Sequence, residues 1–480
     1  MEAHPTPPVS TAAIKPNFRR SRIILAVTIG VSILTYAALP DDLGELGRRA
    51  VAIGVFAAIM WATEAIPLYA TSLSVIGLEV LLLARKGGLA GEGELSHTQF
   101  FEPFASSTII LFMGGFLLAA AVTKHHLDRA IAARLLRPFM GDSYKLILAV
   151  ILTTGFLSIW ISNTATAAMM LAIIAPLIRD PATPRRLVTS LVLAVAFGAS
   201  VGGIATPVST PPHAITISQL RAVGIYINFV EWMLMAVPLA AVMLSITGVL
   251  LCVILRPPRR AELAAIEPPA RITWEGWATV GILSAAVIGW FTGPWHKVDD
   301  AAVALIAATA LAAPGVLTRR DVRSIDWDVL LLMWGGLALG NALHLTNVLE
   351  YVGRLPLFQD ATGWVLALLI IIGGMVFATF MSNTAAANIL VPLAIALASG
   401  GMVAVQGDGS QWEVARLGVL AGLTVSFAIS MPISTPPNAM AYATGAVSAR
   451  DMIRVGLLVS CAAVGMLMVG YLWVLPLVLR

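Results

Sequence analysis

Charged side chains are scarce in this chain of 480 residues. Asp, Glu, Lys and Arg make up 12% of the sequence, about half of the roughly 25% that is usual in soluble globular domains. A water-soluble protein of this size needs more charge to cover its surface, and a disordered chain is typically more polar and charged as well. The low charge therefore excludes a soluble enzyme and a disordered protein.

Cysteine and the common catalytic motifs are also scarce. Cys252 and Cys461 both lie inside apolar runs, so we interpret them as small hydrophobic residues and not as a disulfide or metal pair. The sequence has no Gly-rich phosphate loop of the Walker type and no clear nucleophile with a base. Its basic residues form no clustered face of the kind that binds nucleic acid. We therefore expect neither an ATPase or other enzyme nor a nucleic-acid partner.

Apolar residues are abundant instead, at 58% of the chain, and they gather in long runs. A helix needs about 20 mostly apolar residues to cross a bilayer, whereas the strands of a β-barrel alternate polar and apolar residues. The runs predict an all-α polytopic membrane protein with eleven transmembrane helices, the first of them retained and not cleaved as a signal peptide. The predicted spans are 23–39, 50–69, 70–84, 106–123, 187–205, 232–255, 277–291, 301–313, 329–345, 417–430 and 455–479.

Two further apolar stretches, 144–178 and 362–399, are interrupted by Ser-Asn-Thr at Ser162–Thr164 and Ser382–Thr384. Each arm has about 15 residues, or roughly 22 Å of helix, which is too short to cross a hydrocarbon core about 30 Å thick. Each stretch is therefore a long kinked helix or a re-entrant hairpin. Lys and Arg favour cytoplasmic loops, and most of the 30 basic residues obey this rule if both stretches are hairpins and the N-terminus is cytoplasmic. The C-terminus is then external.

The chain also repeats three motifs in the same order. Met113–Gly115 returns as Trp334–Gly336, the first Ser-Asn-Thr returns as the second, and Val208–Pro212 returns as Ile433–Pro437. An odd number of crossings separates the two Gly-Gly helices, so the two halves have opposite orientations. Inverted repeats with broken helices are typical of secondary transporters that bind near the membrane midplane. The predicted divisions are a cytoplasmic tail at 1–22, a first half at 23–255 with a broken helix at 206–212, a cytoplasmic linker at 256–275, and an inverted second half at 276–480 with a broken helix at 431–437.

The repeated breaks suit the binding of ions. Ser and Asn favour turns and helix starts, and the free N–H groups of a helix N-terminus attract anions. Proline ends one helix and begins the next, which frees backbone carbonyls that suit a hard cation such as Na⁺. A single break of this kind is usually only a kink, but four breaks in two matched sets indicate one anion site flanked by two cation sites. Because no Lys or Arg lies in the breaks, the anion must be held by neutral groups and by bound cations.

These two matched sets, together with the segment Trp61–Pro67 (Trp-Ala-Thr-Glu-Ala-Ile-Pro), resemble the divalent anion/sodium symporter family from about residue 50 to the C-terminus. The resemblance implies an inverted-repeat fold with two re-entrant hairpins, usually assembled as a homodimer. It implies an elevator-like movement of a transport domain against a scaffold. It also implies a small anionic substrate, which is a dicarboxylate, citrate or sulfate, commonly carried with Na⁺.

Carried over to this sequence, the resemblance implies ligands at both hairpin tips and both proline breaks. The implied substrate-binding residues are Asn163, Thr164, Thr210, Pro211, Asn383, Thr384, Thr435 and Pro436. The implied first sodium site consists of Ser158, Ser162, Asn163 and the backbone of Ser209. The implied second sodium site consists of Asn383 and the backbones of Met381 and Ser434.

Two positions depart from the family's pattern. Ala378 stands where the second sodium site usually has a hydroxyl residue, with Thr379 next to it. His213 follows the first Thr-Pro-Pro, where the family often has Asn, whereas Asn438 follows the second. The missing hydroxyl leaves the second sodium site, and with it the number of coupled sodium ions, open.

The sequence thus predicts a secondary active transporter, in a bacterial inner membrane, that takes up a C4-dicarboxylate with Na⁺. A sodium-independent anion exchanger, which Ala378 favours, and a sulfate or citrate transporter of the same fold remain open alternatives. A channel-like or sensory membrane protein is the competing class. The intramembrane carboxylates Glu64 and Glu79 are functional candidates by their type, but we interpret Glu64 as part of a helix end.

Overall fold

The computed structural model describes residues 18–84, 95–261, 272–353, 363–401 and 410–479. Most of the predicted tail at 1–22 and half of the predicted linker at 256–275 lie outside these ranges. Helices and their connections make up the described chain, and an isolated bridge pairs Ala84 with Leu95. The first helix already begins at Phe18, so the last residues of the predicted tail are helical.

The first half of the chain contains helices α1 to α12. They are α1 (Phe18–Ala38), α2 (Gly44–Thr63), α3 (Leu68–Leu83), α4 (Thr98–Phe101), α5 (Ser107–Lys124), α6 (Leu127–Leu136), α7 (Ser143–Ser158), α8 (Asn163–Ile173), α9 (Ala175–Arg179), α10 (Arg185–Gly202), α11 (Pro211–Ala222) and α12 (Phe229–Leu255).

The second half contains helices α13 to α24. They are α13 (Trp274–Phe291), α14 (Gly293–His296), α15 (Asp300–Ala312), α16 (Arg319–Arg323), α17 (Trp327–Leu345), α18 (Val348–Gly353), α19 (Gly363–Thr379), α20 (Asn383–Gly401), α21 (Ser410–Ser426), α22 (Pro436–Ala443), α23 (Ala449–Val469) and α24 (Leu475–Val478).

The described helices confirm the coarse prediction of an all-α membrane protein. Seven of them, with their short extensions, are long and apolar enough to cross a bilayer. They cover the ranges Arg19–Ala38, Asp41–Thr63, Thr98–Lys124, Arg185–Ala205, Phe229–Leu255, Trp327–Leu345 and Ala449–Val478. Other predicted spans form shorter helices, such as α3 with 16 residues and α15 with 13. The count of eleven crossings therefore stays a prediction.

Both Ser-Asn-Thr segments break a helix, as the sequence predicts. The first separates α7 from α8, and the second separates α19 from α20. Asp142 begins α7 by accepting hydrogen bonds from the N–H groups of Tyr144 and Lys145 at 3.0 and 3.2 Å. Ser162 begins α8, where its hydroxyl accepts from the N–H of Ala165 at 3.4 Å, because a helix start needs side-chain acceptors for its free N–H groups. The two arms of each pair pack against each other, which gives a helical hairpin.

Both proline pairs begin a new helix after a stretch of unwound backbone. Thr210 and Thr435 have extended backbones and precede the first residues of α11 and α22. Pro211 and Pro436 take the first helical position, where no N–H donor is needed and the fixed φ of proline already suits a helix. Each proline break therefore sets the start of a short helix inside the protein.

The first glycine of each Gly-Gly pair allows two helices to approach closely. A Cβ on Gly114 in α5 would lie 2.7 Å from Cβ of Ala304 in α15. A Cβ on Gly335 in α17 would overlap Ser72 in α3. The repeated motif therefore makes the same contact in both halves, with a helix of the other half, and small residues at such positions are typical of helix packing in membranes.

The two halves pack crosswise, which means that the hairpin of each half contacts the helix after the proline break of the other half. Helix α8 of the first hairpin packs against α22, which follows the second proline break, and α11, which follows the first proline break, packs against α20 of the second hairpin. Helix α10 contacts both α7 and α22. This arrangement places the four breaks in one region of the molecule.

Candidate functional site

The tip of the first hairpin gathers the polar atoms of the first predicted sodium site. The buried Ser158 Oγ lies 2.8 Å from Asn163 Oδ1 and 2.8 Å from the carbonyl oxygen of Ala199. Gly203 lies so close that a Cβ there would overlap Asn163 Oδ1. These are neutral oxygen atoms, and oxygen ligands of this kind suit a hard cation. The residues present therefore fit a sodium ion at this tip.

Hydrogen bonds from hydroxyl groups hold the first proline break against this hairpin. Thr206 Oγ1 donates to the carbonyl oxygen of Ile159 at 2.7 Å. Ser209 Oγ donates to the carbonyl oxygen of Gly203 and lies 3.3 Å from that of Thr206. The backbone of Ser209, predicted as a sodium ligand, is thereby held in the unwound segment that borders the tip. Thr206 lay outside the predicted site, although the predicted break at 206–212 begins at this residue.

The tip of the second hairpin has one hydroxyl group fewer. Ala378 is fully buried at the position equivalent to Ser158. The hydroxyl of the adjacent Thr379 donates to the carbonyl oxygen of Met375 at 2.7 Å, inside its own helix. Asn383 Oδ1 is buried and finds no hydrogen-bond partner among the described residues. A buried acceptor without a donor suits a cation, so the residues fit a second sodium ion, with fewer ligands than at the first tip.

The second proline break is fastened to the second hairpin in a similar way. Ser434 Oγ donates to the carbonyl oxygen of Thr379 at 3.1 Å and accepts from the N–H of Met431 at 3.3 Å. Thr379 and Ile159 are equivalent in the repeat, so both halves tie the break to the same backbone position of the hairpin. Thr435 Oγ1 also lies 3.4 Å from Ser200 Oγ in α10, which links the second break to the first half.

The predicted substrate-binding residues all lie at the starts of four helices, α8, α11, α20 and α22. Asn163, Thr210, Pro211, Asn383 and Thr384 are partly buried, Thr164 and Pro436 are exposed, and Thr435 is buried. The crosswise packing brings the start of α8 near α22 and that of α11 near α20. Among the described residues, no hydrogen bond joins the two hairpin asparagines directly.

Two more residues outside the predicted set contact the first break. His213 is fully buried, with Nδ1 3.3 Å from the carbonyl oxygen of Thr206 and Nε2 3.0 Å from Ser426 Oγ. The indole N–H of Trp232 donates to the carbonyl oxygen of Ile204 at 3.1 Å. Trp232 lies in an ordinary apolar run, so nothing in the sequence pattern pointed to its role.

The two intramembrane carboxylates lie outside this cluster of breaks. Glu64 ends α2 in the left-handed conformation (φ 47°), and its N–H bonds to the carbonyl oxygen of Met60, which agrees with our interpretation of Glu64 as part of a helix end. Glu79 is fully buried in α3, and its carboxylate finds no hydrogen-bond partner in the part of the chain that the structure describes.

Comparison with known proteins identifies the chain as a transporter. The family described as the sodium:sulfate symporter transmembrane region matches residues 19–479. An uncharacterized transporter of Haemophilus influenzae is 30% identical over 467 residues, which cover 93% of this chain and 95% of that protein. The sodium-dependent dicarboxylate transporter SdcS of Staphylococcus saprophyticus is 27% identical over 477 residues, which cover 92% of this chain and 88% of that protein.

Two solved transporter structures share the fold at lower identity. The Alcanivorax borkumensis YdaH transporter aligns with a TM-score of 0.55 and 14% identity, covering 87% of this chain and 99% of that chain. Neisseria gonorrhoeae MtrF aligns with a TM-score of 0.53 and 14% identity, covering 86% and 94%. At this identity the two structures show the fold alone, whereas the family match extends over nearly the whole chain and confirms the resemblance carried by the duplicated motifs. The chain is an integral membrane protein that belongs to the sodium:sulfate symporter family.

Proposed function

We propose that this protein takes up a small divalent anion, preferably a C4-dicarboxylate, together with Na⁺. The observation that carries the proposal is the pair of hairpin tips with neutral oxygen clusters. Ser158 and Asn163 form such a cluster at the first tip, and at the second tip Asn383 Oδ1 is buried without a donor among the described residues. The adjoining helix starts supply N–H groups that attract an anion.

The neutral character of the breaks gives a physical reason for coupling. A dianion in a site without Lys or Arg lacks a permanent positive partner, so cations bound at the tips stabilise it through their charge. By linkage, the anion then raises the affinity for the cations by the same factor as the cations raise the affinity for the anion. An anion site that is incomplete without Na⁺ couples the two substrates.

The same proposal includes an elevator-like movement of the breaks against α5 and α17. The second glycine of each Gly-Gly pair faces the elements that carry the breaks. Gly115 faces Val208 in the first proline break, and Gly336 faces Asn388 in α20. Gln219 in α11 donates a side-chain hydrogen bond to the Gly336 carbonyl oxygen at 3.3 Å. Glycine at these two positions leaves no side chain of α5 or α17 between the helix and the element that carries the break, which supports α5 and α17 as part of the scaffold.

The choice of a C4-dicarboxylate rests on relatives named as dicarboxylate transporters. Transport of sulfate or citrate by the same site is the alternative within the fold. A bacterial inner membrane, a cytoplasmic N-terminus, an external C-terminus and a homodimer belong to the same proposal.

Uptake by proteoliposomes tests the proposal. The purified protein is reconstituted, and the uptake of labelled succinate, citrate and sulfate is followed under an inward Na⁺ gradient, with K⁺ or choline in place of Na⁺ as the control. We expect accumulation of succinate that depends on the Na⁺ gradient and reverses when the gradient is reversed. Equal uptake with Na⁺ and choline would contradict sodium coupling.

Sodium-independent exchange is the second candidate, and Ala378 is the observation that favours it. Counterflow distinguishes the two, because an exchanger takes up labelled anion into vesicles preloaded with unlabelled anion in the complete absence of Na⁺. Passage without saturation in either assay would instead favour a channel-like protein.

A further inference from the structure

In the second proline break, a single side chain donates hydrogen bonds to two backbone carbonyl groups. Asn438 is fully buried, and its amide N–H groups donate to the carbonyl oxygens of Ile429 at 2.8 Å and Met431 at 2.9 Å. These carbonyl groups lie nine and seven residues before Asn438 and have left the helical hydrogen-bond pattern. Buried carbonyl groups need donors, and the amide of Asn supplies two N–H groups from one atom.

The first proline break has carbonyl groups at the same two positions, but two side chains donate to them instead of one. His213 replaces Asn at the equivalent position, so the carbonyl groups nine and seven residues earlier belong to Ile204 and Thr206. His213 Nδ1 lies 3.3 Å from the Thr206 oxygen, and Trp232 Nε1 donates to the Ile204 oxygen at 3.1 Å. Trp232 is fully buried in α12, and the centroid of its ring lies 4.9 Å from the centroid of the His213 imidazole.

The imidazole also reaches a partner that Asn438 lacks. A carbonyl oxygen can only accept, so the proton on His213 lies at Nδ1 and Nε2 is an acceptor. Ser426 Oγ in α21, 3.0 Å away, is then the donor to Nε2. The corresponding acceptor in the other half, Asn438 Oδ1, has no hydrogen-bond partner among the described residues.

We infer that His213 and Trp232 are positioning residues that together donate to the two carbonyl groups of the first proline break, as Asn438 alone does in the second. His213 also fixes the first break to the second half of the chain through Ser426. The break contains Ser209, whose backbone is a proposed sodium ligand, so a loss of these bonds loosens the cation site. The inference uses the proposed function for the effect on Na⁺, whereas the hydrogen-bond pattern itself can be tested without transport.

Three variants test whether two side chains share the donation to these carbonyl groups. They are Trp232→Phe, His213→Asn and the double variant. Trp232→Phe keeps a buried aromatic ring but removes the donor to Ile204, and we expect the Na⁺ concentration for half-maximal uptake to rise about fivefold, the effect of one lost hydrogen bond. His213→Asn supplies the two-donor amide found in the other half. In the His213→Asn background, Trp232→Phe should therefore change the half-saturating Na⁺ concentration by less than about twofold.

Trp290→Phe is the matched control, because Trp290 is also buried and donates from its indole to a backbone carbonyl at 3.0 Å, that of Asp300, which belongs to neither break. It should leave the Na⁺ dependence unchanged. Equal effects of Trp232→Phe with and without His213→Asn would overturn the inference. If Trp232→Phe alone yields no folded protein, recovery of folded protein in the double variant supports the inference, and failure to recover overturns it.

The link through Ser426 is tested on the purified protein without substrate. The thermal unfolding midpoint is measured for the wild type, Ser426→Ala, His213→Asn and the double variant. We expect Ser426→Ala to lower the midpoint only when His213 is present. Additive shifts would overturn the link. If the wild type proves not to transport with Na⁺, the proposed function fails, but this cycle still decides the inference.

Discussion

Ser158 and Ala378 occupy equivalent positions, each five residues before the asparagine of its hairpin tip. The Ser158 hydroxyl donates a hydrogen bond to Asn163 Oδ1. Asn383 Oδ1 has no such donor among the described residues. At the scale of single residues, the halves therefore differ by one hydroxyl oxygen beside otherwise matched asparagines. A cation at the second tip has one ligand fewer, and we expect it to bind less tightly there.

Exchanging this hydroxyl between the halves should shift the Na⁺ dependence in opposite directions. Ala378→Ser adds a ligand at the second tip and should lower the Na⁺ concentration for half-maximal uptake. Ser158→Ala removes one from the first tip and should raise it, each by about three- to tenfold, since one such interaction contributes on the order of 1 kcal/mol. Uptake measured against Na⁺ concentration in proteoliposomes gives these values.

Thr379→Val is the control for this pair, because the Thr379 hydroxyl is engaged within its own helix by Met375. If Thr379→Val alters the Na⁺ dependence while Ala378→Ser does not, Thr379 supplies the oxygen and the assignment of the site is wrong. If all three variants resemble the wild type, Na⁺ is not the coupling ion.

At the scale of helices, the site depends on close contact between α10 and the first hairpin. A Cβ on Gly202 would overlap Gly155 in α7, and a Cβ on Gly203 would overlap the Asn163 side chain. No rotamer change can remove the first of these overlaps, because it involves backbone atoms. The two glycines therefore fix how near the unwound end of α10 comes to the hairpin tip.

Gly203→Ala should displace Asn163 and reduce transport at least tenfold, with a stability loss in the range of about 1–3 kcal/mol that is usual for overpacking. Gly281→Ala in α13 is the matched control, since no atom of the described residues lies within 4 Å of a Cβ at that position, and it should transport normally. Uptake and the thermal unfolding midpoint are measured for both variants. Wild-type uptake by Gly203→Ala would show that Asn163 does not need its observed position.

Much of this level of organisation was predictable from the sequence. The polar interruptions and proline pairs predicted all four breaks, because each residue type acts on its own backbone within a few residues. The bond from Thr206 to Ile159 and the contacts of His213 with Trp232 and Ser426 were not predictable. These contacts join residues far apart in the sequence, and their side chains carry no periodic signal.

At the scale of the whole molecule, each half contributes two of the four breaks that lie together. The hairpin of each half packs against the helix that follows the proline break of the other half. Neither half alone assembles the full set of helix starts, which agrees with the inverted repeat that the sequence predicts. The orientation in the membrane remains a prediction from the distribution of basic residues.

Cysteine labelling tests this orientation. Cys252 and Cys461 are first replaced by Ala, and single cysteines are then introduced by Lys297→Cys and Arg320→Cys, which are both exposed positions. An impermeant thiol reagent should label the first from the outside and the second from the cytoplasmic side only, because one crossing separates the two loops in the predicted topology. Labelling of both from the same side would contradict the eleven-crossing arrangement.

The central claim, that sodium ions complete a neutral anion site, is tested most directly by the anion affinity of the purified protein as a function of Na⁺. Titration calorimetry with succinate is performed in NaCl and in choline chloride at equal ionic strength, on the wild type, Asn163→Ala and Asn383→Ala. We predict binding that strengthens steadily with Na⁺, is lost in choline, and is lost in both variants while they remain folded. Equal affinity in NaCl and choline chloride, or wild-type affinity in either variant, would contradict the claim.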